Sequence, residues 1–248
     1  ECKLAKLDAQ IRKLIADKFN NIVSEVKDFN NRKLDAYSME IELMPGEKLK
    51  PHNPRRSSPA LKQVIKDQLE EWMNKGIIRE SRSSFAAPIV LVKKPSGNFR
   101  LCVDYRLINA ITVPIRFPLP NVKDVLGRLK GKKFFCRLDL RSGFLQLPLA
   151  LLPQKISAFC TEFGNFEFTH IPFGLKNASA FFQASMLNIL TGLAGRVCEV
   201  FVDDILIHGE TEEEFLANVN AVLQRLSEFD LKLSPEKCVL VAIEVEYI

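Results

Sequence analysis

The 248-residue chain contains no run of about 18 apolar residues, so a membrane-spanning helix is not expected. Its first residues, Glu1-Cys2-Lys3-Leu4, lack the apolar stretch and cleavage site of a signal peptide. They also lack an initiator Met, and the chain reads as cut from something longer. Cysteine is sparse and scattered. The six residues stand at 2, 102, 136, 160, 198 and 238, and the nearest two are 24 positions apart. That spacing builds no zinc knuckle and no CxxC motif. Several cysteines sit within apolar runs, where Cys acts as a small buried hydrophobe, so a reduced, intracellular protein is the expectation. Internal repeats and low-complexity tracts are also missing.

What the chain does contain is enough for a sizeable core: 47% hydrophobic and 26% charged residues. The length fits one large domain or two tightly joined subdomains. The net charge of +5 conceals an asymmetry. Residues 47–141 carry a net +13, residues 199–248 a net −9, and the first 46 balance. A basic half suits a polyanionic partner, because each phosphate contact releases counterions. A basic solvated surface is the alternative.

Apolar periodicity predicts a helix over residues 4–29, through Leu4, Leu7, Ile11, Leu14, Ile15, Ile22 and Val26. A Pro-punctuated basic segment, Pro45 to Pro59, follows as extended chain. Ser58-Pro59 opens a helix with Leu61, Val64, Ile65, Leu69, Trp72 and Met73 on its apolar face and Gly76 at its end. Strands are expected at Pro88–Lys94 and Phe99–Tyr105, joined as a hairpin through Pro95-Ser96-Gly97-Asn98. A short helix bearing Val122, Val125, Leu126 and Leu129 precedes a strand, Phe134–Leu140. A second hairpin joins Ile156–Phe163 to Phe166–Ile171 around Gly164-Asn165. Asn177 is placed to cap the next helix. A third hairpin runs Val197–Val202, Asp203-Asp204, Ile205–His208. Thr211 to Glu214 forms a capping box for the last helix. The irregular alternation implies an α+β fold, an antiparallel sheet with helices on one side.

Three carboxylates interrupt apolar strands: Asp139 within FFCRLDL, and Asp203 and Asp204 between VCEVFV and ILI. A charge at the edge of a buried strand is costly unless paired. Two Mg2+ ions would pair these, since Mg2+ takes carboxylates together with substrate phosphates. An ordinary hairpin turn also favours Asp, so the dipeptide alone leaves both readings open.

The stretch Phe201-Val202-Asp203-Asp204-Ile205-Leu206-Ile207 resembles the aromatic-x-Asp-Asp signature of reverse transcriptases. It is most similar to the gypsy-like group of long-terminal-repeat retrotransposons. Leu138 to Leu147 (LDLRSGFLQL) resembles the family's first catalytic motif. Ile171 to Ala178 (IPFGLKNA), with Phe181-Phe182-Gln183, is similar to its Pro-Phe-Gly-Leu block. Lys93 to Gly97, Arg100 to Asn109 and Leu231 to Cys238 resemble further blocks. Six blocks in order, from Pro45 to Ile248, carry more weight than any one.

The resemblance implies a right-hand polymerase fold reduced to fingers and palm, with an antiparallel palm sheet backed by helices. Residues 1–44 would form an N-terminal helical or linker segment, and 45–248 the polymerase domain, ending before a thumb. Asp139, Asp203 and Asp204 would form the catalytic and metal site, with two Mg2+ ions. Ser142 and Gly143 would offer amides to the triphosphate, and Lys93 or Lys94 with Arg100 would grip its outer phosphates. Phe144 would exclude a ribose 2′-hydroxyl, with Phe173 nearby, so that dNTPs are selected. For Lys93-Lys94 a solvated hairpin end, and for the two phenylalanines core packing, are the alternatives. Gln183 reads as a polar helix residue outside the site. The implied partners are an RNA or DNA template with primer and, in the longer protein, protease, RNase H and integrase domains. Cytoplasmic particles, the nucleus or both are the implied location. Leu149 to Gln154 (LALLPQ) departs from the family, which usually has acidic and polar residues there. Ser179, Phe181 and Phe144-Leu145 depart as well. Two rival functions remain at this point: an inactive nucleic-acid-binding copy, and an RNA-synthesising polymerase of the palm type.

Overall fold

The computed structural model describes residues 2–47, 49, 52–54, 57–93, 97, 99–117 and 121–244. In chain order the elements begin with α1 (Cys2–Lys18) and α2 (Asn20–Val23). The single helix expected over 4–29 breaks at Phe19, whose φ is −128°. Asn20 and Asn21 follow, and such side chains compete with helical backbone bonds. Next come α3 (Pro59–Asn74), β1 (Ile78–Glu80), β2 (Ala87–Lys93) and β3 (Phe99–Val103). Then α4 (Arg106–Ile111), α5 (Val122–Leu129), β4 (Phe134–Asp139), α6 (Leu151–Ile156), β5 (Phe159–Thr161) and β6 (Gly164–Phe168) follow. The chain continues through α7 (Ala178–Ile189), β7 (Cys198–Phe201), β8 (Asp204–Gly209), α8 (Glu212–Glu228) and β9 (Val239–Ala242). Among the described residues no helix is long and apolar enough to cross a membrane.

The chain divides into two compact units, each built from separated segments. The first comprises Glu1–Glu25, Arg116–Gly143 and Ala180–Ile248. It holds an antiparallel sheet in the order β7-β8-β4-β9. One face of this sheet meets α8: Phe134 stacks on Phe215 at 5.8 Å, and Gly209 lies against the Phe215 backbone. Strand alternation puts Cys136 and Leu138 on that same face and Asp139 on the other. From α8, Phe215, Val219, Val222, Leu223 and Leu226 are fully buried. Each contributes roughly 1.5–3 kcal/mol, so the sheet is fixed from behind. The helix starts as expected, with Thr211 Oγ1 accepting from Glu214 N–H at 3.2 Å.

The second unit comprises Val26–Ile115 and Phe144–Ser179. Its five strands run β1-β6-β5-β2-β3, antiparallel except for the β2–β5 pair, which is parallel. That pair, Ala87 with Phe159 and Pro88 with Cys160, makes the sheet mixed, whereas hairpin logic alone anticipates antiparallel pairing. Trp72 of α3 packs edge-on to Phe159 and tilted on Phe168. Gly76, at φ 68°, ends α3 in the left-handed conformation expected of it.

Three local expectations change. The strand predicted at Ile156–Phe163 is the end of α6 followed by the three-residue β5. Asn177 does not cap α7. Its Oδ1 accepts from Ile115 N–H at 3.0 Å and its Nδ2 donates to Val113 O at 2.8 Å, so both side-chain atoms are occupied. The third hairpin turns at Val202-Asp203, and Asp204 is already in β8, opposite Phe201.

Candidate active site

The first unit brings Asp139, Asp203 and Asp204 together. Asp139 ends β4 and pairs in register with Asp204, the first residue of β8. Both therefore project from the face opposite α8. Asp203 occupies the β7–β8 turn, and its carbonyl accepts from Leu140 N–H at 3.4 Å. The Asp139 backbone is held on both sides. Its carbonyl accepts from Ser234 N–H at 2.9 Å, and its N–H donates to Cys238 Sγ at 3.4 Å.

Charge is not balanced here. Asp139 Oδ1 and Asp203 Oδ1 are buried and accept no hydrogen bond among the described residues. Lys237 Nζ stands 3.5 Å from Asp139 Oδ1, close enough for an ion pair. Burial first, then repulsion from Asp139 and Asp204, pushes the Asp203 carboxyl up to about 6. Burial also raises Asp204, against the opposing influence of Arg137. A cluster of hard oxygen donors short of positive charge fits a divalent cation. Among the described residues no three His, Cys, Asp or Glu side chains form a ready-made metal cage. Mg2+ does not need one, since it keeps waters and substrate phosphates alongside one or two carboxylates.

Ser142 and Gly143 continue this unit directly after β4. Ser142 is exposed and sits at φ 49°, the turn conformation in which successive amides can cradle an anion. Gly143 is buried against Asp203. A Cβ there would lie 2.8 Å from Asp203 Oδ1 and 3.0 Å from Phe182 Cζ. Absence of a side chain at 143 is what gives the carboxylate its space.

The remaining candidates belong to the second unit. Phe144 is 8% exposed and meets Phe173 edge-on at a centroid distance of 5.3 Å, while Phe173 is 58% exposed. One ring is thus packed and the other open. The Phe173 loop is tied down by Asn109, which donates to Gly174 O at 2.7 Å and accepts from Lys176 N–H at 2.8 Å. Lys93 ends β2, and Arg100 stands opposite Val92 on β3. Both side chains are exposed. Lys94, with Pro95, Ser96 and Asn98 of the turn, lies outside the described residues.

Sequence reasoning missed Gln183, Cys238 and Asn109 as neighbours of functional loops. Gln183 carried a usable signal: a lone amide between Phe182 and Met186 on an apolar helix must find buried partners. Cys238 carried none, since an isolated Cys reads as a hydrophobe.

Residues 92–248 match the family described as "Reverse transcriptase (RNA-dependent DNA polymerase)". The retrovirus-related Pol polyprotein from transposon 297 of Drosophila melanogaster is 37% identical over 189 residues, covering 74% of this chain and 18% of that protein. The Pol polyprotein from transposon 412 of the same organism is 32% identical over 257 residues, covering 99% of this chain and 21% of that protein. Foamy viral protease-reverse transcriptase in complex with double-stranded DNA superposes with a TM-score of 0.80 at 25% identity, covering 98% of this chain and 50% of that one. Its complex with an RNA/DNA hybrid gives 0.79 at 25% identity, over 95% and 31%. The chain spans about a fifth of the length of these curated relatives.

Proposed function

This chain belongs to the reverse transcriptase family, and we propose that it is the fingers and palm of an RNA-directed DNA polymerase from a gypsy-like long-terminal-repeat retrotransposon. One observation carries the reading. Asp139 faces Asp204 in register, Asp203 sits in the turn beside them, and two of their buried oxygens lack hydrogen-bond partners among the described residues. Such a cluster is destabilising for a fold and useful for phosphoryl transfer.

In this reading Asp139 and Asp203 would hold two Mg2+ ions, with Asp204 supporting them. When bound, the ions supply positive charge for the triphosphate and polarise the attacking hydroxyl. The chain's own groups position the reactants. Amides of Ser142 and Gly143 bind the triphosphate, and Lys93 or Lys94, with Arg100, serves as a fixed cation for its outer phosphates. Phe144, braced by Phe173, takes the sugar of a dNTP and leaves no room for a 2′-hydroxyl. The primer 3′-oxygen bonds the α-phosphorus and pyrophosphate leaves. Template and primer, RNA or DNA, lie along the basic stretch from 47 to 141, as polyanion binding requires. The foamy viral relatives hold such duplexes, which supports this assignment. Residues 45–248 are the polymerase domain and 1–44 an N-terminal segment. The whole protein carries protease, RNase H and integrase domains and works in cytoplasmic particles, the nucleus or both.

The test is primer extension on RNA and DNA templates with dNTPs or NTPs. DNA synthesis on both templates is expected, lost in Asp139→Asn and Asp203→Asn. Extension that persists in both variants would overturn the reading.

A further inference from the structure

Gln183 of α7 is fully buried, yet both ends of its amide are used. Nε2 donates to Val200 O at 2.9 Å, and Oε1 accepts from Val202 N–H at 2.6 Å. These partners bracket Phe201, and the second immediately precedes Asp203. The side chain therefore spans the last turn of β7 and the start of the loop that presents the carboxylate.

Val202 is the point where that loop is hardest to hold. Its φ is 51°, and in all the described chain only Ser142 and Asp230 share a positive φ without being glycine. A β-branched residue in this region is a strained exception. A two-residue hairpin loop with positive φ at its first central position ordinarily takes glycine there. With valine instead, the peptide gains by turning back to an ordinary conformation, which would carry Asp203 with it. The bond from Val202 N–H to Gln183 opposes that rotation, because breaking it strands a buried acceptor and a half-buried donor. Asp203 has little slack on its other side. Gly143 lies so close that a Cβ there would stand 2.8 Å from Asp203 Oδ1.

We propose that Gln183 is a positioning residue for the polymerase reaction, holding the strained Val202 peptide so that Asp203 faces the metal site. This rests on the polymerase reading above. A buried glutamine that merely ties helix to sheet would lower stability when removed and leave the turnover of folded enzyme alone.

The experiment uses the full-length protein carrying this chain, with Asp203→Asn as control. Gln183→Leu is expected to lower kcat roughly 10–100-fold, the scale of a catalytic group displaced by about 1 Å. The Mg2+ concentration for half-maximal rate should rise, while KM for dNTP moves less than about threefold, as for a group acting on the chemical step. The decisive arm is Val202→Gly, which relaxes the turn without the amide. Adding Gln183→Leu to that background should cost less than about threefold, since glycine adopts positive φ freely. An equal loss in both backgrounds, or a lowered Tm with unchanged kcat, overturns the proposal. Should Gln183→Leu not fold, Gln183→Glu replaces it. The protonated acid can make both bonds and the ionised form cannot, so its kcat relative to the native protein should fall as pH rises. A flat ratio overturns the proposal as well. If Asp203→Asn itself stays active, the polymerase reading fails instead.

Discussion

Each unit buries one glutamate, and each neutralises it with arginine. In the first, Glu199 takes two bonds from Arg128, at 2.6 and 2.7 Å. In the second, Glu167 takes a bond from Arg79 at 2.8 Å and another from the Ser81 hydroxyl at 2.6 Å. Both units thus satisfy a buried anion when it serves the fold. The aspartates of the first unit are treated differently. Among the described residues, the buried carboxylate oxygens left without a hydrogen bond are Asp139 Oδ1 and Asp203 Oδ1. The second unit, by contrast, carries Lys93 and Arg100 exposed on β2 and β3, and its segments sum to +6 against −1 for the first. Negative charge is crowded at one strand end, with Lys237 beside it, and positive charge is spread where solvent or a polyanion can reach it.

The strongest break of that contrast is Asp203→Asn. It should lower primer extension by at least about 1,000-fold, or about 4 kcal/mol, read as a single-turnover rate. It should also raise the Tm of the metal-free protein, because a crowded, half-buried charge is removed. Retention of a tenth of the native rate, only about 1.4 kcal/mol, would refute the role.

Arg128→Ala is expected to destabilise by about 3–5 kcal/mol, since Glu199 stays buried without a partner. Arg79→Ala should cost less, because Ser81 still bonds Glu167. Urea unfolding of the two variants decides, and equal losses would erase the difference between the units.

Phe144→Val addresses the second unit's own chemistry. The ratio of kcat/KM for GTP to that for dGTP should rise by about tenfold, the effect of roughly 1.4 kcal/mol at the sugar. An unchanged ratio returns Phe144 to core packing against Phe173.

The smallest effect concerns pH. Burial lowers His170 in the second unit and His208 in the first. For each, the folded value lies below the unfolded value near 6.5, so the unfolded chain binds protons first. Stability is therefore complete above pH 6.5 and declines as pH falls toward the folded values, by at most about 1.4 kcal/mol per pH unit for each. His208 has no hydrogen-bond partner on either ring nitrogen among the described residues, with Glu199, Lys132, Glu214 and Arg128 as its charged neighbours. His208→Leu should flatten the loss between pH 7.5 and 5.5 without lowering Tm at neutral pH. His170 Nε2 donates to Phe29 O, and its Nδ1 shares a bond with the Thr169 hydroxyl, so its replacement should lower Tm at every pH. Identical Tm profiles for the two variants would show that the rings are equivalent.

The strands that carry the candidate site were legible because a charge inside an apolar run is conspicuous, as at Asp139 and Asp203. Local turn chemistry placed the end of α3 at Gly76 and the start of α8 at Thr211 for the same reason: each depends on a few adjacent residues. What could not be read depends on distant ones. The β2–β5 pairing joins residues about seventy positions apart and leaves no local trace. The Val202 turn escaped because Asp-Asp is the better turn dipeptide, and a glutamine from another element decides otherwise. The strand predicted from Ile156 began too early, because Ile156 is a buried apolar residue that ends α6 as readily as it would open a strand.

The segments of the first unit are dispersed along the chain, and this sets an order of events at the ribosome. Residues 1–25 are made first, yet Ile22 accepts its bond from Leu233 N–H, and Asn21 meets Asp230, 209 positions later. At about 5–20 residues per second, the interval is roughly 10–40 s. Through that time Leu7, Ile11 and Ile22, fully or nearly fully buried in the finished protein, have no permanent partner. Of this unit's three segments, the one made first is among the last to settle, and a chaperone that shields it would act before the unit has closed.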